Sequence, residues 1–200
     1  MEDLSIYSLT KNPIETFNVW LNEAIKVEQN AQAMSVATYD FTHKRPSSRY
    51  ILLKGIQNNK FVFYTNYLSP KSNDLNHNSE IALNFYWHVS KKQVRIHGKV
   101  EKMSKKDSEV YFHSRDRDSQ IASYISAQSS PIEDKKTLEL KFAKAVQQFA
   151  GRDIPLLDNW GGYLVDPYEM EFFLYGENRL NDRFLFELKN NNWEVSRLQP

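Results

Sequence analysis

Cysteine is absent from this 200-residue chain, and glycine occurs only six times. The lack of cysteine excludes disulfide bonds, iron–sulfur clusters held by thiolates and thiol nucleophiles, and it fits a reducing compartment. None of the six glycines belongs to a GxGxxG, GxxxxGKS/T or GxSxG motif. Any phosphate group that this chain binds must therefore be held by side chains and not by a glycine-rich loop.

The chain also lacks an excess of charge and long apolar runs. Its net charge of +1 leaves no global field to attract a nucleic acid or an anionic membrane. No apolar run approaches the roughly 18 residues of a membrane span, and the first residues, MEDLSIYSLTKNP, do not resemble a signal peptide. The five histidines show no HxH or HxxxH spacing, so we expect no metal centre. We expect a cytoplasmic protein that binds neither nucleic acid nor membrane.

Aromatic residues are plentiful, with twelve Phe and eleven Tyr. Many lie in segments of alternating polarity, which indicates a β-rich core. Turn residues at 57–59 and 190–192 separate pairs of such segments and predict hairpins. Strands are predicted at 33–39, 48–56, 60–66, 81–88, 93–103, 160–165, 169–175, 183–188 and 193–198.

Helices are predicted where a capping residue precedes apolar residues at helical spacing. Asn12 and Pro13 begin a helix that runs to about residue 27, and Ser104 begins one that carries Tyr111. Further helices are predicted at 70–78, with Ser69 as its cap, and at 133–149. This order of elements predicts a mainly β fold with α additions (α+β): one domain over 1–200, built as an antiparallel sheet or barrel with helices packed outside.

The most informative stretch is 111–130, YFHSRDRDSQIASYISAQSS, which has no glycine or proline. Tyr111, Arg115 and Ser119 recur every four residues, so a helical interpretation places them near one face. A phenol, a guanidinium and a hydroxyl on one face suit a phosphate group, since all three donate hydrogen bonds. The alternative is an ordinary amphipathic helix with a solvated polar face.

Two other pairs of basic residues can each be interpreted in more than one way. In a continuous strand, Arg49 and Lys54 are separated by an odd number of steps, so they face opposite sides unless a bulge intervenes. Near the end of the chain, Arg179 and Arg183 flank Asp182, which a local surface salt bridge would also explain.

Six collinear stretches resemble the pyridoxamine 5′-phosphate oxidase family, FMN enzymes of the split-barrel fold. The stretches are RYILLK (49–54), FVFYTN (61–66), QVRIHGKVEK (93–102), YFHSRDRDSQIASYISAQSS (111–130), NWGGY (159–163) and RLNDR…W…RLQP (179–200). The resemblance covers about 33–200. It implies an antiparallel split β-barrel and a homodimer with FMN at the interface, so that one site draws residues from both chains.

The resemblance also implies which residues form the site. Arg179 and Asn181 would lie beside the substrate ring as the catalytic residues. The substrate phosphate would be held by Lys54, Tyr111, Arg115 and Ser119. FMN would be bound by Arg49, Tyr50, Ile51, Leu52, Leu53, Lys54, Tyr64, Thr65, Lys71, Gln93, Gln128, Ser129, Phe173 and Arg183.

The activity that the resemblance implies is oxidation of pyridoxamine or pyridoxine 5′-phosphate to pyridoxal 5′-phosphate. A hydride would pass from the substrate C4′ to FMN N5, and O2 would reoxidise the flavin and yield H2O2. One alternative is a relative that oxidises another substrate, such as a phenazine precursor. Another is a flavin- or pyridoxal-phosphate-binding protein with little turnover.

The chain departs from the family pattern at four places. Pro70 stands where the family usually has a second basic residue, Phe173 where it usually has Trp, and Asn181 where it usually has His. The N-terminal segment lacks the usual Arg-x-x-Tyr and Gly-Leu elements. The residues implied in FMN and phosphate binding are thus largely retained, whereas those implied in contacts with the rest of the substrate are partly altered.

Overall fold

The structure is a computed structural model that describes residues 11–200. These residues form nine strands, five α-helices and a short 3-10 helix at Glu177–Arg179. The helices are α1 (Pro13–Ile25), α2 (Pro70–His77), α3 (Lys105–Ser114), α4 (Arg117–Ile125) and α5 (Lys135–Gln148). The strands are β1 (Ala33–Asp40), β2 (Arg45–Leu52), β3 (Gly55–Gln57), β4 (Lys60–Asn66), β5 (Glu80–Trp87), β6 (Lys92–Lys102), β7 (Trp160–Leu174), β8 (Asp182–Lys189) and β9 (Asn192–Leu198).

The nine described strands form one antiparallel sheet that divides at β7. Its order is β2-β1-β5-β6-β7-β4-β3, with β8 paired to β7 and β9 paired to β8. Strand β7 pairs with β4 along its first half and with β8 along its second half. The predicted mainly β, antiparallel architecture with additional helices is confirmed.

Helix α1 packs against the core of the sheet. The Asn12 side chain caps the helix by accepting a backbone N–H at 2.9 Å, as the sequence predicts. Phe17 and Trp20 share one face and are buried, and the ring of Phe17 lies 4.9 Å from that of Phe61. The helix ends at Ile25, two residues before its predicted end at 27.

The single strand predicted at 48–56 is wrong, because β2 and β3 are separated by Leu53 and Lys54. The amide of Leu53 donates to the Gln32 carbonyl and that of Lys54 to the Val62 carbonyl, both at 2.8 Å. The Leu53 bond extends the pairing of β2 with β1, in which Leu52 lies opposite Ala33, whereas the Lys54 bond begins the pairing with β4. The chain therefore changes its pairing partner between Leu53 and Lys54, just before β3.

The two strands predicted at 160–165 and 169–175 are instead one strand, β7. Pro167 lies between the two predicted segments, and proline cannot donate to a ladder. In the structure Pro167 lies opposite Gly98, where β6 shifts its register, so the irregularity accommodates the proline within a continuous strand.

The continuous helical interpretation of 111–130 is also wrong. Helix α3 ends at Ser114, and Arg115 has an extended backbone with φ −77° and ψ 157°. Asp116 then caps α4, because its carboxylate accepts a hydrogen bond from the Ser119 amide at 2.7 Å. A short acidic side chain that can bond a nearby amide favours a cap over a helix interior, which explains the break.

Candidate active site

A cavity of about 950 Å³ lies among β2, β4, α2, α4 and the loop that follows α4. Arg49 and Lys54 both line it, because the interruption after Leu52 removes the alternation expected of a continuous strand. The structure thus gathers side chains from distant parts of the sequence. The predicted residues that line this cavity are Arg49, Tyr50, Ile51, Leu52, Lys54, Tyr64, Thr65, Lys71, Tyr111, Arg115, Ser119, Gln128 and Ser129.

Lys71 is a buried cation held by neutral oxygens. Its Nζ donates to Thr65 Oγ1 and Ser69 Oγ at 2.8 Å and to Gln128 Oε1 at 3.0 Å. Burial, followed by the nearby charge of Arg49, lowers the pKa of Lys71 to about 8. Ser69 was predicted to cap α2, but its hydroxyl makes no cap hydrogen bond and accepts from Lys71 instead.

Arg49 is the second cation of this cluster and is half-buried. Its guanidinium donates to Thr38 Oγ1 at 2.8 Å and to Ser47 Oγ at 2.7 Å. Burial lowers the pKa of Arg49, and the carboxylate of Asp74, which accepts from Thr38 at 2.6 Å, opposes that shift. Arg49 and Lys71 therefore present two desolvated charges to the cavity, an arrangement that suits a dianion such as a phosphate monoester.

The loop after α4 is fastened to β4 at the edge of the cavity. Asn66 Nδ2 donates to the Ser126 carbonyl at 3.1 Å, and Thr65 Oγ1 donates to Gln128 Oε1 at 3.2 Å. Ser129 has a positive φ of 67°, a sparsely populated conformation for serine. Sparsely populated conformations of this kind are frequent at ligand sites, and the role of Gln128 and Ser129 in FMN binding stays a prediction.

Arg115 forms a second, separate cationic position. Its Nη1 donates to Ser123 Oγ at 2.9 Å, and its Nη2 donates to the Ser119 carbonyl at 3.1 Å. Burial lowers the pKa of Arg115, while the charges of Tyr111 and Asp116 act in the opposite direction. The break between α3 and α4 turns the guanidinium toward Ser119, so the three residues of the predicted phosphate site meet without sharing one helix.

Three parallel aromatic rings connect these parts of the cavity. The ring of Tyr64 lies 3.7 Å from that of Tyr111 and 5.4 Å from that of Trp160, with an interplanar angle of 13° in each case. Burial, with a smaller contribution from Tyr111, raises the pKa of Tyr64 to about 12. Both phenols remain protonated near neutral pH. The Tyr64 hydroxyl donates to Met103 Sδ at 3.4 Å, and the Tyr111 hydroxyl can donate a hydrogen bond to an anion.

Two glycines of the NWGGY stretch make room for neighbouring tyrosines, Gly162 for Tyr64 and Gly161 for Tyr67. A Cβ at Gly162 would lie 3.0 Å from Tyr64 Cε1 and from Met103 Sδ, and one at Gly161 would lie 2.8 Å from Tyr67 Cζ. Tyr67 in turn donates its hydroxyl to the Gly162 carbonyl at 2.8 Å. The glycines therefore let β7 lie close to Tyr64, which is in β4, and to Tyr67, which follows β4.

Gln93, Phe173 and Arg183, which are predicted FMN residues, do not line this cavity. They form a row across β6, β7 and β8, where they are direct cross-strand neighbours. The guanidinium carbon of Arg183 lies 5.6 Å from the centroid of the Phe173 ring. Leu53 is also outside the cavity, because its side chain is buried in the core. Within one chain the predicted FMN residues are thus divided between two surfaces.

Glu171 is a buried carboxylate beside Arg183, a predicted FMN residue, and sequence reasoning missed it. Its carboxylate is buried, forms an ion pair with Arg95 and accepts from Arg183 Nε at 2.8 Å. Asp182 does not form the local salt bridge considered above with Arg179 or Arg183. It pairs instead with Arg197, at 3.0 Å. Only the strand register reveals the Glu171 cluster, because its members are distant in sequence.

Glu171→Gln is expected to lower the free energy of unfolding by about 1–3 kcal/mol, because it leaves two neighbouring guanidinium groups without a counter-charge. Urea unfolding provides the measurement. Glu169→Gln is the matched control: it removes a partly exposed carboxylate, paired with His97, from the same strand. The control should cost less than about 0.5 kcal/mol. Equal losses of unfolding free energy in the two variants would contradict the claim that the buried Glu171 carboxylate stabilises the fold more than an exposed one.

Arg179 and Asn181 lie in the turn between β7 and β8. Arg179 has a φ of 65°, and the Asn181 side-chain oxygen accepts from the Gly176 amide at 3.1 Å. Asn181 therefore stabilises the turn through this hydrogen bond to Gly176. It also lines a second cavity of about 370 Å³ together with residues of the C-terminal end: Leu180, Asp182, Arg197, Leu198, Gln199 and Pro200.

Neither a metal site nor a membrane span is found in the part of the chain that the structure describes. No group of three or more His, Cys, Asp or Glu side chains between residues 11 and 200 is arranged to hold a metal ion. Among the helices of the same residues, none is both long and apolar enough to cross a membrane.

The fold and the cavity together define an antiparallel β-barrel protein with a candidate ligand site that is cationic and lined by aromatic rings. Residues 21–149 match the family model described as "Pyridoxamine 5′-phosphate oxidase". Residues 160–200 match the model described as "Pyridoxine 5′-phosphate oxidase C-terminal dimerisation region". The chain belongs to the pyridoxamine 5′-phosphate oxidase family, whose enzymes are FMN-dependent oxidases.

Two relatives that carry the name pyridoxine/pyridoxamine 5′-phosphate oxidase agree with this assignment. The chain is 44% identical over 193 residues to the pyridoxine/pyridoxamine 5′-phosphate oxidase of Vibrio cholerae, covering 96% of this chain and 91% of the relative. It is 42% identical over 190 residues to the enzyme of that name from Leptospira biflexa, covering 94% and 89% of the two chains.

Solved structures confirm the split-barrel fold. PhzG from Burkholderia lata 383, in complex with tetrahydrophenazine-1-carboxylic acid, superposes with a TM-score of 0.92 at 25% identity, covering 100% of this chain and 98% of that one. A pyridoxamine 5′-phosphate oxidase-related, FMN-binding protein from Nostoc punctiforme has a TM-score of 0.78 at 15% identity, with coverage of 96% and 100%. The second likeness concerns the fold alone.

Proposed function

We propose that this chain is an FMN-dependent oxidase that converts pyridoxamine or pyridoxine 5′-phosphate to pyridoxal 5′-phosphate. O2 is the electron acceptor and H2O2 is the reduced product; with pyridoxamine 5′-phosphate, water is also consumed and ammonia released. The observation that carries the proposal is a cavity with two separate cationic positions, Arg49 with Lys71 and Arg115. Two phosphate groups, one of the cofactor and one of the substrate, match these two positions.

The residues of the first position fit the phosphate of FMN. Lys71 is buried among neutral oxygens, and no carboxylate of the described residues forms an ion pair with it, so an anionic ligand would supply the missing counter-charge. Arg49 adds a second charge with donors in a planar fork. Thr65, Gln128 and Ser129 would orient the cofactor. Bound FMN supplies the hydride acceptor and returns electrons to O2.

The residues of the second position fit the phosphate of the substrate. Arg115 supplies forked donors, Tyr111 a protonated phenol, Ser119 a hydroxyl and Lys54 a further charge. Together they would fix the vitamer by its phosphate and leave its C4′ to be oriented by the rest of the site. No strong protein base is required by this scheme, because the cofactor accepts the hydride.

We further propose a homodimer in which each site is completed by the second chain. The division of the predicted FMN residues into the cavity and the Gln93–Phe173–Arg183 row supports this arrangement, as does the match to a dimerisation region. The purified protein should be yellow and carry about one non-covalent FMN per chain. A colourless protein that does not bind added FMN, or a flavin-loaded monomer in sedimentation, would contradict this proposal.

Oxidation of a phenazine precursor is the second candidate, and the likeness to PhzG favours it. Retention of Tyr111, Arg115 and Ser119 favours a phosphorylated substrate instead, as does the 44% identity to a pyridoxine/pyridoxamine 5′-phosphate oxidase. Rates under air on pyridoxine 5′-phosphate and on a dihydrophenazine carboxylate separate the two. We expect turnover of the phosphorylated vitamer alone; the reverse preference would overturn the proposal, and turnover of neither would favour a binding protein.

Asn181→His is expected to raise kcat/KM for pyridoxine 5′-phosphate by less than about tenfold, since one hydrogen bond contributes about 1 kcal/mol. Histidine can also carry a charge near neutral pH, so the variant should gain a step in its pH profile that the natural chain lacks at this position. Kinetics across the histidine titration provide the measurement. An unchanged kcat/KM with a changed melting temperature would limit Asn181 to the hydrogen bond with Gly176.

A further inference from the structure

Trp160, the tryptophan of the NWGGY stretch, stacks beside Tyr64 in the cavity, but no part in binding either phosphate has been assigned to it above. It is the first residue of β7, is 9% exposed and belongs to a small hydrophobic cluster outside the main core, together with Phe112 and Ile154. Burial in such a cluster would suffice to explain a large aromatic residue. Trp160 also lines the cavity, however, so one part of its indole faces the site.

The guanidinium of Arg115 lies over the indole ring of Trp160. The guanidinium carbon lies 5.0 Å from the ring centroid, closer than its 5.9 Å separation from the ring of Phe112. Arg115 is half-buried, and a cation–π contact strengthens when the cation is desolvated. Two hydrogen bonds, to Ser123 and Ser119, use two of the five N–H donors of the guanidinium and leave three for a ligand.

The same indole is parallel to the two tyrosines of the cavity. It makes an angle of 13° with Tyr64 at 5.4 Å and of 1° with Tyr111 at 6.4 Å. Trp160 thus lies against Arg115 and parallel to Tyr64 and Tyr111. Arg115 and Tyr111 belong to the proposed substrate-phosphate position, and Tyr64 is a predicted FMN residue. Arg115 has an extended backbone between two helices. Its side chain is oriented by the contact with Trp160 together with the hydrogen bonds to Ser119 and Ser123.

We propose that Trp160 is a positioning residue that holds Arg115 in the orientation that receives the substrate phosphate, and that it thereby sets the preference for phosphorylated over unphosphorylated vitamers. This inference rests on the proposed function. The indole face and the two hydrogen bonds to Ser119 and Ser123 hold the guanidinium in the cavity that Tyr111 and Ser119 also line. Without the indole, Arg115 would keep its charge but lose this orientation, and the phosphate would lose part of its binding free energy.

The test compares Trp160→Leu, Trp160→Phe and Ile154→Ala in the FMN-loaded protein. Ile154 is fully buried in the same cluster and lies outside the cavity, so its variant controls for lost packing. Trp160→Leu should raise KM for pyridoxine 5′-phosphate about tenfold with kcat changed less than about twofold. Trp160→Phe, which keeps an aromatic face, should recover most of the loss. Ile154→Ala should lower the melting temperature and leave KM unchanged.

Equilibrium binding gives a readout that does not depend on turnover. Trp160→Leu should weaken binding of pyridoxal 5′-phosphate by a similar factor and leave binding of unphosphorylated pyridoxal unchanged. Equal weakening of both ligands, a fall in kcat at constant KM, or the same change in Ile154→Ala would overturn the inference. If Trp160→Leu does not fold, Trp160→Phe compared with Ile154→Ala decides, with a two- to threefold loss of discrimination expected. If the unsubstituted protein binds the phosphorylated vitamers but does not oxidise them, the proposed function is wrong, and the inference about Trp160 can still be tested by binding.

Discussion

Arg115→Leu is expected to raise KM for pyridoxine 5′-phosphate about ten- to a hundred-fold, because a charge-assisted hydrogen bond to phosphate contributes roughly 1.5–3 kcal/mol. FMN should stay bound, since the hydrogen bonds of Arg115 go to Ser119 and Ser123 and not to the Arg49–Lys71 cluster. Steady-state kinetics and the flavin content of the purified variant provide the measurements.

Arg117→Leu is the matched control for this substitution. It removes an arginine two positions along the chain whose guanidinium bonds the carbonyls of Phe149 and Arg152 and does not line the cavity. This variant should lower the melting temperature with little change in KM. If Arg115→Leu instead expels FMN and leaves the affinity for substrate unchanged, its assignment to the substrate phosphate is wrong.

The affinity for FMN is expected to fall as the pH rises above about 8, through the titration of Lys71. Burial, followed by the charge of Arg49, lowers the pKa of Lys71 to about 8 in the ligand-free protein. A bound phosphate favours the ammonium and raises this pKa, so binding takes up a proton above about pH 8. The dissociation constant should rise by up to about tenfold per pH unit until the pH reaches the pKa of the bound state.

Fluorescence titration of FMN from about pH 7 to 10 measures this dependence. Lys71→Met should bind FMN more weakly and lose the step, whereas Lys71→Arg should keep its charge and also show no step over this range. The ligand-free protein has the opposite trend in stability: the unfolded chain binds more protons between the two pKa values, so the contribution of Lys71 to stability rises from about pH 8 to 10.5. A pH-independent affinity in the natural chain would contradict the assignment.

Local sequence signals predicted much of the fold. The boundaries of β4 at 60–66 match, because the turn residues before it define a hairpin with β3. The caps Asn12 and Ser104 both accept the expected backbone N–H groups. These features depend on interactions between residues only a few positions apart, which a pattern in the sequence can reveal.

The features that sequence reasoning missed depend on contacts between distant segments. The interruption at Leu53 requires hydrogen bonds to β4 and to the loop before β1, and the ion pairs of Glu171 require the register of three strands. The break after Ser114 is different: Asp116 is a recognisable cap, but the four-residue spacing of Tyr111, Arg115 and Ser119 favoured a continuous helix.

The most direct test of the proposed function is the reaction of the FMN-loaded protein with pyridoxamine 5′-phosphate under air. We predict that pyridoxal 5′-phosphate forms and that O2 is consumed in an amount equal to the H2O2 released. Catalase-free conditions and parallel assays of product, O2 and H2O2 establish this balance. An FMN-loaded dimer that binds pyridoxamine 5′-phosphate but forms no pyridoxal 5′-phosphate would contradict it.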